Sequence, residues 1–160
     1  MIFIGLGSNI GDRKEQLMVA IEKISKICNI IEKSHIYETK PWGKKDQNNF
    51  LNMAIAIDAN LSPEEALLRF HKIEEEMGRK RIKKWGQRNI DIDIISWNNR
   101  IIDKDYLHIP HIHLKERDFF LQPCIDIDSD AIEPKSGMTF AEILSSLPTS
   151  EKTIIGVFDG

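Results

Sequence analysis

Apolar and polar residues change their period several times along this chain, and each change marks an element. Met1 to Leu6 is a short apolar run that predicts a buried first strand. From Asp12 the period lengthens. Leu17, Ala20, Ile21, Ile24 and Cys28 recur at helical spacing behind an Asp12/Glu15 capping-box pattern, which predicts a helix over 13–28. Ile30, Ile31, Ile36, Tyr37 and Thr39 suit a second strand over 30–39. In FLNMAIAID, residues 50–58, Leu51, Met53, Ile55 and Ile57 share one face of a third strand, and Phe50 and Asn52 project side by side from the other. Ser62, Pro63 and Glu65 then read as cap, first-turn proline and box partner. Ala66, Phe70, Ile73 and Met77 carry the second helix to Gly78. A fourth strand over 89–97 alternates Ile90, Ile92 and Ile94 with Asp91 and Asp93.

The order strand, helix, strand, strand, helix, strand predicts an α+β fold: a ferredoxin-like βαββαβ sandwich, antiparallel, with its helices on one face. Beyond it the pattern predicts a turn at Asn98-Asn99, a short edge strand at Arg100–Ile102 and, after Pro123, a C-terminal extension. Thr139 and Glu142 cap one more short helix there, while 153–158 fits a last strand or an extended tail equally well. A length of 160 residues suits one domain, 1–160.

The last strand of the sandwich changes the picture from fold to chemistry. Asp91 and Asp93 share a face roughly 7 Å apart by strand rise. Two such carboxylates fit either a solvated strand face or a divalent cation, and oxygen-only ligands favour magnesium over zinc. Just before them, Arg79, Lys80, Arg81, Lys83, Lys84 and Arg88 make a dense basic segment. Guanidinium groups grip phosphate in bidentate fashion, and magnesium at nucleotide sites is held by one or two carboxylates plus substrate phosphates. Carboxylates, cation and arginines together point to phosphoryl transfer.

Other motifs are weaker. Gly5, Gly7 and Gly11 give G-x-G-x-x-x-G, one residue too long for a dinucleotide fingerprint, and read as a tight strand-to-helix turn in which Ser8 and Asn9 make local bonds. His108, His111 and His113 have no cysteine nearby, unlike a zinc cluster. Residues 40–49, with Pro41 and Gly43, are long for a hairpin connection and form a candidate functional loop. Glu74, Glu75 and Glu76 read as a solvated helix face.

Composition narrows the classes. Hydrophobic residues make up 41% and charged residues 29%, with a net charge of -3, so the basic segment serves a local anion rather than nucleic acid or an anionic membrane. The N-terminus lacks a signal-peptide pattern and no stretch approaches a transmembrane helix. Cys28 and Cys124 fit reduced thiols in a cytoplasmic protein.

GRKRIKKWGQRNIDIDI, from Gly78, resembles the signature of the 6-hydroxymethyl-7,8-dihydropterin pyrophosphokinases of folate biosynthesis. GLGSNIGD (5–12), YETKPWG (37–43), DQNNFLNMA (46–54) and IPHIHLKERDFFLQP (109–123) are similar to further blocks of that family, in its order, so the likeness runs from residue 2 to about 125. The resemblance implies transfer of pyrophosphate from ATP to the pterin hydroxymethyl group, leaving AMP. It implies two Mg2+ ions on Asp91 and Asp93, and Arg79 and Arg88 as catalytic arginines. Thr39, Trp42, Phe50, Asn52, Trp85 and Phe119 fall to the pterin, with Phe50 and Phe119 as an aromatic sandwich. His71, Glu74, Arg81, Ile94, His108, His111 and Arg117 fall to the nucleotide. The expected partners are ATP and the pterin, with no nucleic acid or membrane, and the expected state is a monomer.

The chain departs from the family pattern at Gln87, Lys40, Trp42 and His71, where proline, proline, a variable apolar residue and glutamine are frequent. The charge of 78–88, with Gly78 and Gly86 at its ends, predicts a segment that closes over bound ligands as a lid. Two competing classes follow from the same residues. One is a single-stranded RNA module using Phe50, Phe119 and the basic segment, and the other is a phosphoryl or nucleotidyl transferase with a different acceptor.

Overall fold

The computed structural model describes residues 1–42, 46–78 and 89–159. The strands are β1 (Ile2–Ser8), β2 (Asn29–Lys33), β3 (Tyr37–Thr39), β4 (Phe50–Asp58), β5 (Asp91–Trp97), β6 (Ile102–Lys104), β7 (Leu107–Ile109) and β8 (Ile154–Val157). The helices are α1 (Arg13–Ser25), α2 (Pro63–Glu76), α3 (Asp118–Ile127) and α4 (Phe140–Ser146). One antiparallel sheet runs β5-β1-β4-β3-β8, and β2 also pairs with β4.

The helix starts follow their caps. Asp12 accepts the Glu15 N–H at 3.1 Å, and Ser62 and Glu65 form a complete capping box ahead of Pro63. α1 and α2 cover one face of the sheet as the periodicity predicts. Ile4, Leu6, Leu51, Met53, Ile55 and Ile57 meet Leu17, Ile24, Phe70 and Ile73 there in one buried cluster.

The other face is covered too. Phe3, Ala54, Ala56 and Ile95 pack against Phe120, Leu121 and Cys124 of α3 and Phe140 and Ile143 of α4, so the C-terminal extension supplies a third layer. α3 breaks the pattern a sequence reading looks for. Pro123 lies inside it, and an internal proline normally argues against a continuing helix.

Four expectations are corrected. The single strand over 30–39 is two, because the Ser34 hydroxyl takes the Ala54 N–H at 2.9 Å and interrupts the ladder before Tyr37. The edge strand at Arg100–Ile102 begins only at Ile102, and it pairs with β7 as a separate hairpin rather than with the main sheet. Gly5 and Gly7 lie within β1, and the positive-φ turn falls at Gly11. Asn9 bonds at long range, donating to Gln47 Oε1 at 3.0 Å and the Asn48 carbonyl at 3.2 Å. The extended residues at the C-terminus are a strand, β8, on β3. Cys28 and Cys124 are free.

Candidate active site

The sheet register assembles the site. Tyr37 pairs with Asn52, Asn52 with Gly7 and Gly7 with Asp91, so one row crosses β3, β4, β1 and β5. The next row carries Ala54, Gly5 and Asp93. By strand spacing, Asn52 and Asp91 stand on one face about 10 Å apart, two strands removed. Gly7 between them has a physical reason to lack a side chain, since a Cβ there would sit 2.5 Å from Asn52 Oδ1. At Gly5 a Cβ would press on Phe120 and Ile95 at 3.1 Å. These glycines make room for side chains from neighbouring elements, a use that only the tertiary register reveals.

Asn52 is buried and donates from Nδ2 to Thr39 Oγ1 at 2.7 Å, which fixes its amide and leaves Oδ1 as an acceptor over Gly7. Phe50 is half-buried on the same face, 3.8 Å from the Cβ position at Gly7. Arg13 holds the strand entry by donating to the Asn49 carbonyl at 3.1 Å and pairing with Glu38 at 3.5 Å. Arg13 did not stand out in the sequence, and Asn9 stood out only as a local turn residue. Their role rests on contacts more than thirty residues away.

Above this face, α3 begins with a packed aromatic and guanidinium group. The Arg117 guanidinium lies 4.4 Å from the Trp42 ring centroid, 5.4 Å from Phe119 and 5.1 Å from Phe120. Trp42 also meets His113 at 5.1 Å. Trp42 from one predicted stretch and Arg117 with Phe119 from another therefore converge.

Asp91 and Asp93 are half-buried on β5. His111 Nε2 lies 4.0 Å from Asp93 Oδ1. The other ring nitrogen, Nδ1, accepts the His113 N–H at 3.1 Å, so the proton sits on Nε2, facing the aspartate. Burial, and then the charge of Arg117, push the His111 pKa down to about 3, keeping this donor neutral. Among the described residues no three His, Cys, Asp or Glu side chains converge as a complete metal cage. A carboxylate pair fits magnesium nonetheless, because that ion keeps its waters and takes substrate phosphates.

The remaining nucleotide candidates scatter. Glu74 is buried and accepts the Ile92 N–H at 2.8 Å, between the two aspartates, so it braces the aspartate strand. This corrects the solvated reading of the helix face at that position. The Ile94 side chain turns into the core beside Ile92, away from the aspartate face. His71 is exposed on α2, the layer across the sheet from Asn52. His108 pairs with Asp103 at 3.4 Å in the β6–β7 hairpin. Arg79, Arg81, Trp85, Gln87 and Arg88, and with them the expected lid, lie outside the described residues. At the borders of that segment, the Asn89 side chain donates to the Met77 carbonyl at the end of α2.

Comparison with known proteins places the chain in a family. Residues 3–129 match the family described as 7,8-dihydro-6-hydroxymethylpterin-pyrophosphokinase (HPPK). The 2-amino-4-hydroxy-6-hydroxymethyldihydropteridine pyrophosphokinase of Aquifex aeolicus is 43% identical over 83% of this chain and 83% of its own. The protein of the same name from Haemophilus influenzae is 38% identical over 84% and 85%. A solved HPPK-DHPS in complex with substrates superposes with a TM-score of 0.72 over 91% of this chain at 14% identity, a likeness of fold. This chain spans 44% of that one.

Fold and relatives define the class, an ATP-dependent diphosphotransferase. Within it, the chain belongs to the 7,8-dihydro-6-hydroxymethylpterin-pyrophosphokinase family. The reaction is pyrophosphoryl transfer to 6-hydroxymethyl-7,8-dihydropterin in folate biosynthesis, with ATP as co-substrate.

Proposed function

We propose that this chain performs that transfer on the face where Asn52, Gly7 and Asp91 stand in one row, with the pterin at the Asn52 end and the phosphates at the aspartate end. The observation that carries the reading is this row, an amide and a carboxylate held about 10 Å apart across a strand stripped of its side chain at Gly7. Phe50 and Phe119 supply flat faces for the heterocycle, and Asn52 Oδ1, its amide already tied to Thr39, accepts from a ring N–H. Trp42 closes the pterin side against Arg117.

Asp91 and Asp93 would hold magnesium, two ions by family resemblance. When bound, the metal neutralises charge on the triphosphate and the acceptor oxygen. The neutral His111 donates from Nε2 to a phosphate oxygen without adding a positive charge, and Arg117 supplies the fixed one. By the family resemblance, Arg79 and Arg88 neutralise charge on the group in transfer, Arg81 belongs to the nucleotide and Trp85 to the pterin. Little covalent chemistry falls to the protein, whose work is alignment and charge compensation. Ile94 and Glu74 act through β5, by core packing and by holding the Ile92 amide.

The chain acts as one domain over 1–160, as a monomer in the cytoplasm. Among the described residues no helix is long and apolar enough to cross a membrane. A single-stranded RNA platform is disfavoured because α3 and α4 cover the sheet face such a module leaves open. Incubation with magnesium, ATP and 6-hydroxymethyl-7,8-dihydropterin tests the reading. Accumulation of AMP and a pterin diphosphate is the expected outcome; ADP with a pterin monophosphate, or no pterin-dependent turnover, rejects it.

A further inference from the structure

The C-terminal strand enters the pterin side of the site through one buried carboxylate. Asp118 is 2% exposed and stands between Arg117 and Phe119. Its Oδ2 accepts the Thr153 N–H at 2.7 Å and the Ile154 N–H at 3.0 Å, and its Oδ1 accepts the Thr153 hydroxyl at 2.6 Å. Three donors on one buried carboxylate make a strong, directional anchor. α3 needs one, because Arg117 at its N-cap makes no side-chain capping bond.

Thr153 also reaches the opposite wall. Its carbonyl accepts the Lys40 N–H at 2.9 Å. Lys40 follows Thr39, the partner of Asn52, and leads through Pro41 to Trp42, whose ring meets Arg117. The contacts close a ring: Lys40 to Thr153, Thr153 to Asp118, Asp118 along the chain to Arg117, Arg117 to Trp42 and back. Both walls of the aromatic pocket are thereby fixed to one residue of the C-terminal segment, outside residues 3–129 that match the family.

We infer that Asp118 and Thr153 are positioning residues for the pterin, a clasp by which the C-terminal strand sets the distance between the Trp42 loop and the Arg117–Phe119 start of α3. Neither touches the substrate in this account; they act through the groups on either side. The inference rests on the pterin reading of this face. Thr153→Val deletes only the hydroxyl bond and leaves both backbone donors to Asp118, so the fold is retained. Thr153→Ser restores the hydroxyl. Asp118→Asn turns an amide N–H towards donors and is the harsher variant.

The test is calorimetric titration of the full chain with the pterin and, separately, with magnesium and a non-hydrolysable ATP analogue. For Thr153→Val the pterin Kd is expected to rise roughly tenfold, the scale of one hydrogen bond to a charged group. The nucleotide Kd rises by less, because Arg117 is the only nucleotide group bordering the clasp, and Thr153→Ser recovers most of the loss. In turnover the same split appears as a raised pterin KM with little change in kcat. An unchanged pterin Kd in Thr153→Val, or equal losses for both ligands, overturns the clasp while leaving the substrate assignment intact. Failure of the wild-type chain to bind pterin overturns the assignment and the clasp with it.

Discussion

The two faces of the central sheet are built from different materials. Towards α1 and α2 it presents Ile2, Ile4, Leu6, Leu51, Met53, Ile55 and Ile57, a branched aliphatic surface closed by Phe70 and Leu17. Towards α3 and α4 the same strands present Gly5, Gly7, Ala54 and Ala56, with Asn52, Asp91 and Asp93 in register beside them. The first face fills space, and that is how a core gains stability. The second leaves space at Gly7 and spends it on a buried amide and a carboxylate pair. Period-2 alternation lets one strand do both jobs, so stability and ligand recognition are separable by mutation even though the residues are chain neighbours.

The largest expected effect is on the polar face. Asp91→Ala or Asp93→Ala unseats the metal, whose charge stabilisation is worth several kcal/mol, so turnover falls by on the order of a thousandfold. Melting temperature holds or rises, because a repulsive pair has been relieved. Steady-state rates with parallel thermal melts check this, and near-normal rates in either variant remove the metal assignment.

Next comes the filled face. Phe70 is 1% exposed, and Phe70→Ala costs about 3–5 kcal/mol of stability, read as a shift of the urea midpoint. At a temperature where the variant stays folded, its pterin affinity matches that of the wild type. A large pterin defect in folded protein breaks the division between the faces.

The smallest effect separates two glycines. Gly7→Ala drives a Cβ to 2.5 Å from Asn52 Oδ1, an overpacking that costs ~1–3 kcal/mol and displaces the amide, so pterin binding weakens. Gly156→Ala on β8 meets nothing within 4 Å and leaves binding unchanged. Equal behaviour of the two variants contradicts the close-approach reading of Gly7.

The same contrast explains what the sequence made legible. The aliphatic face announced itself through alternation in 50–58 and helical spacing in α1 and α2, with Asp12 and Ser62 marking the starts. Asp91, Asp93, Asn52 and Phe50 were legible as pairs on one strand face, because a strand's geometry is local. Their assembly into a row was not, since it depends on which strands pair and in what register. α3 escaped notice because Pro123 breaks its pattern, and the reason for Asp118 lies in Thr153, thirty-five residues on. Glu74 looked like one member of an acidic run until the fold set it against the Ile92 amide. The glycines of β1 read as a turn because a missing side chain says nothing of what fills its place.

Phe119 offers the most direct test of the claim that the second face is the pterin pocket. Calorimetry on Phe119→Ala, with pterin and with magnesium and a non-hydrolysable ATP analogue, is expected to show pterin affinity reduced by ~1–3 kcal/mol, the scale of a lost stacking surface, and nucleotide affinity unchanged. Equal losses for the two ligands, or an undiminished pterin affinity, would contradict it.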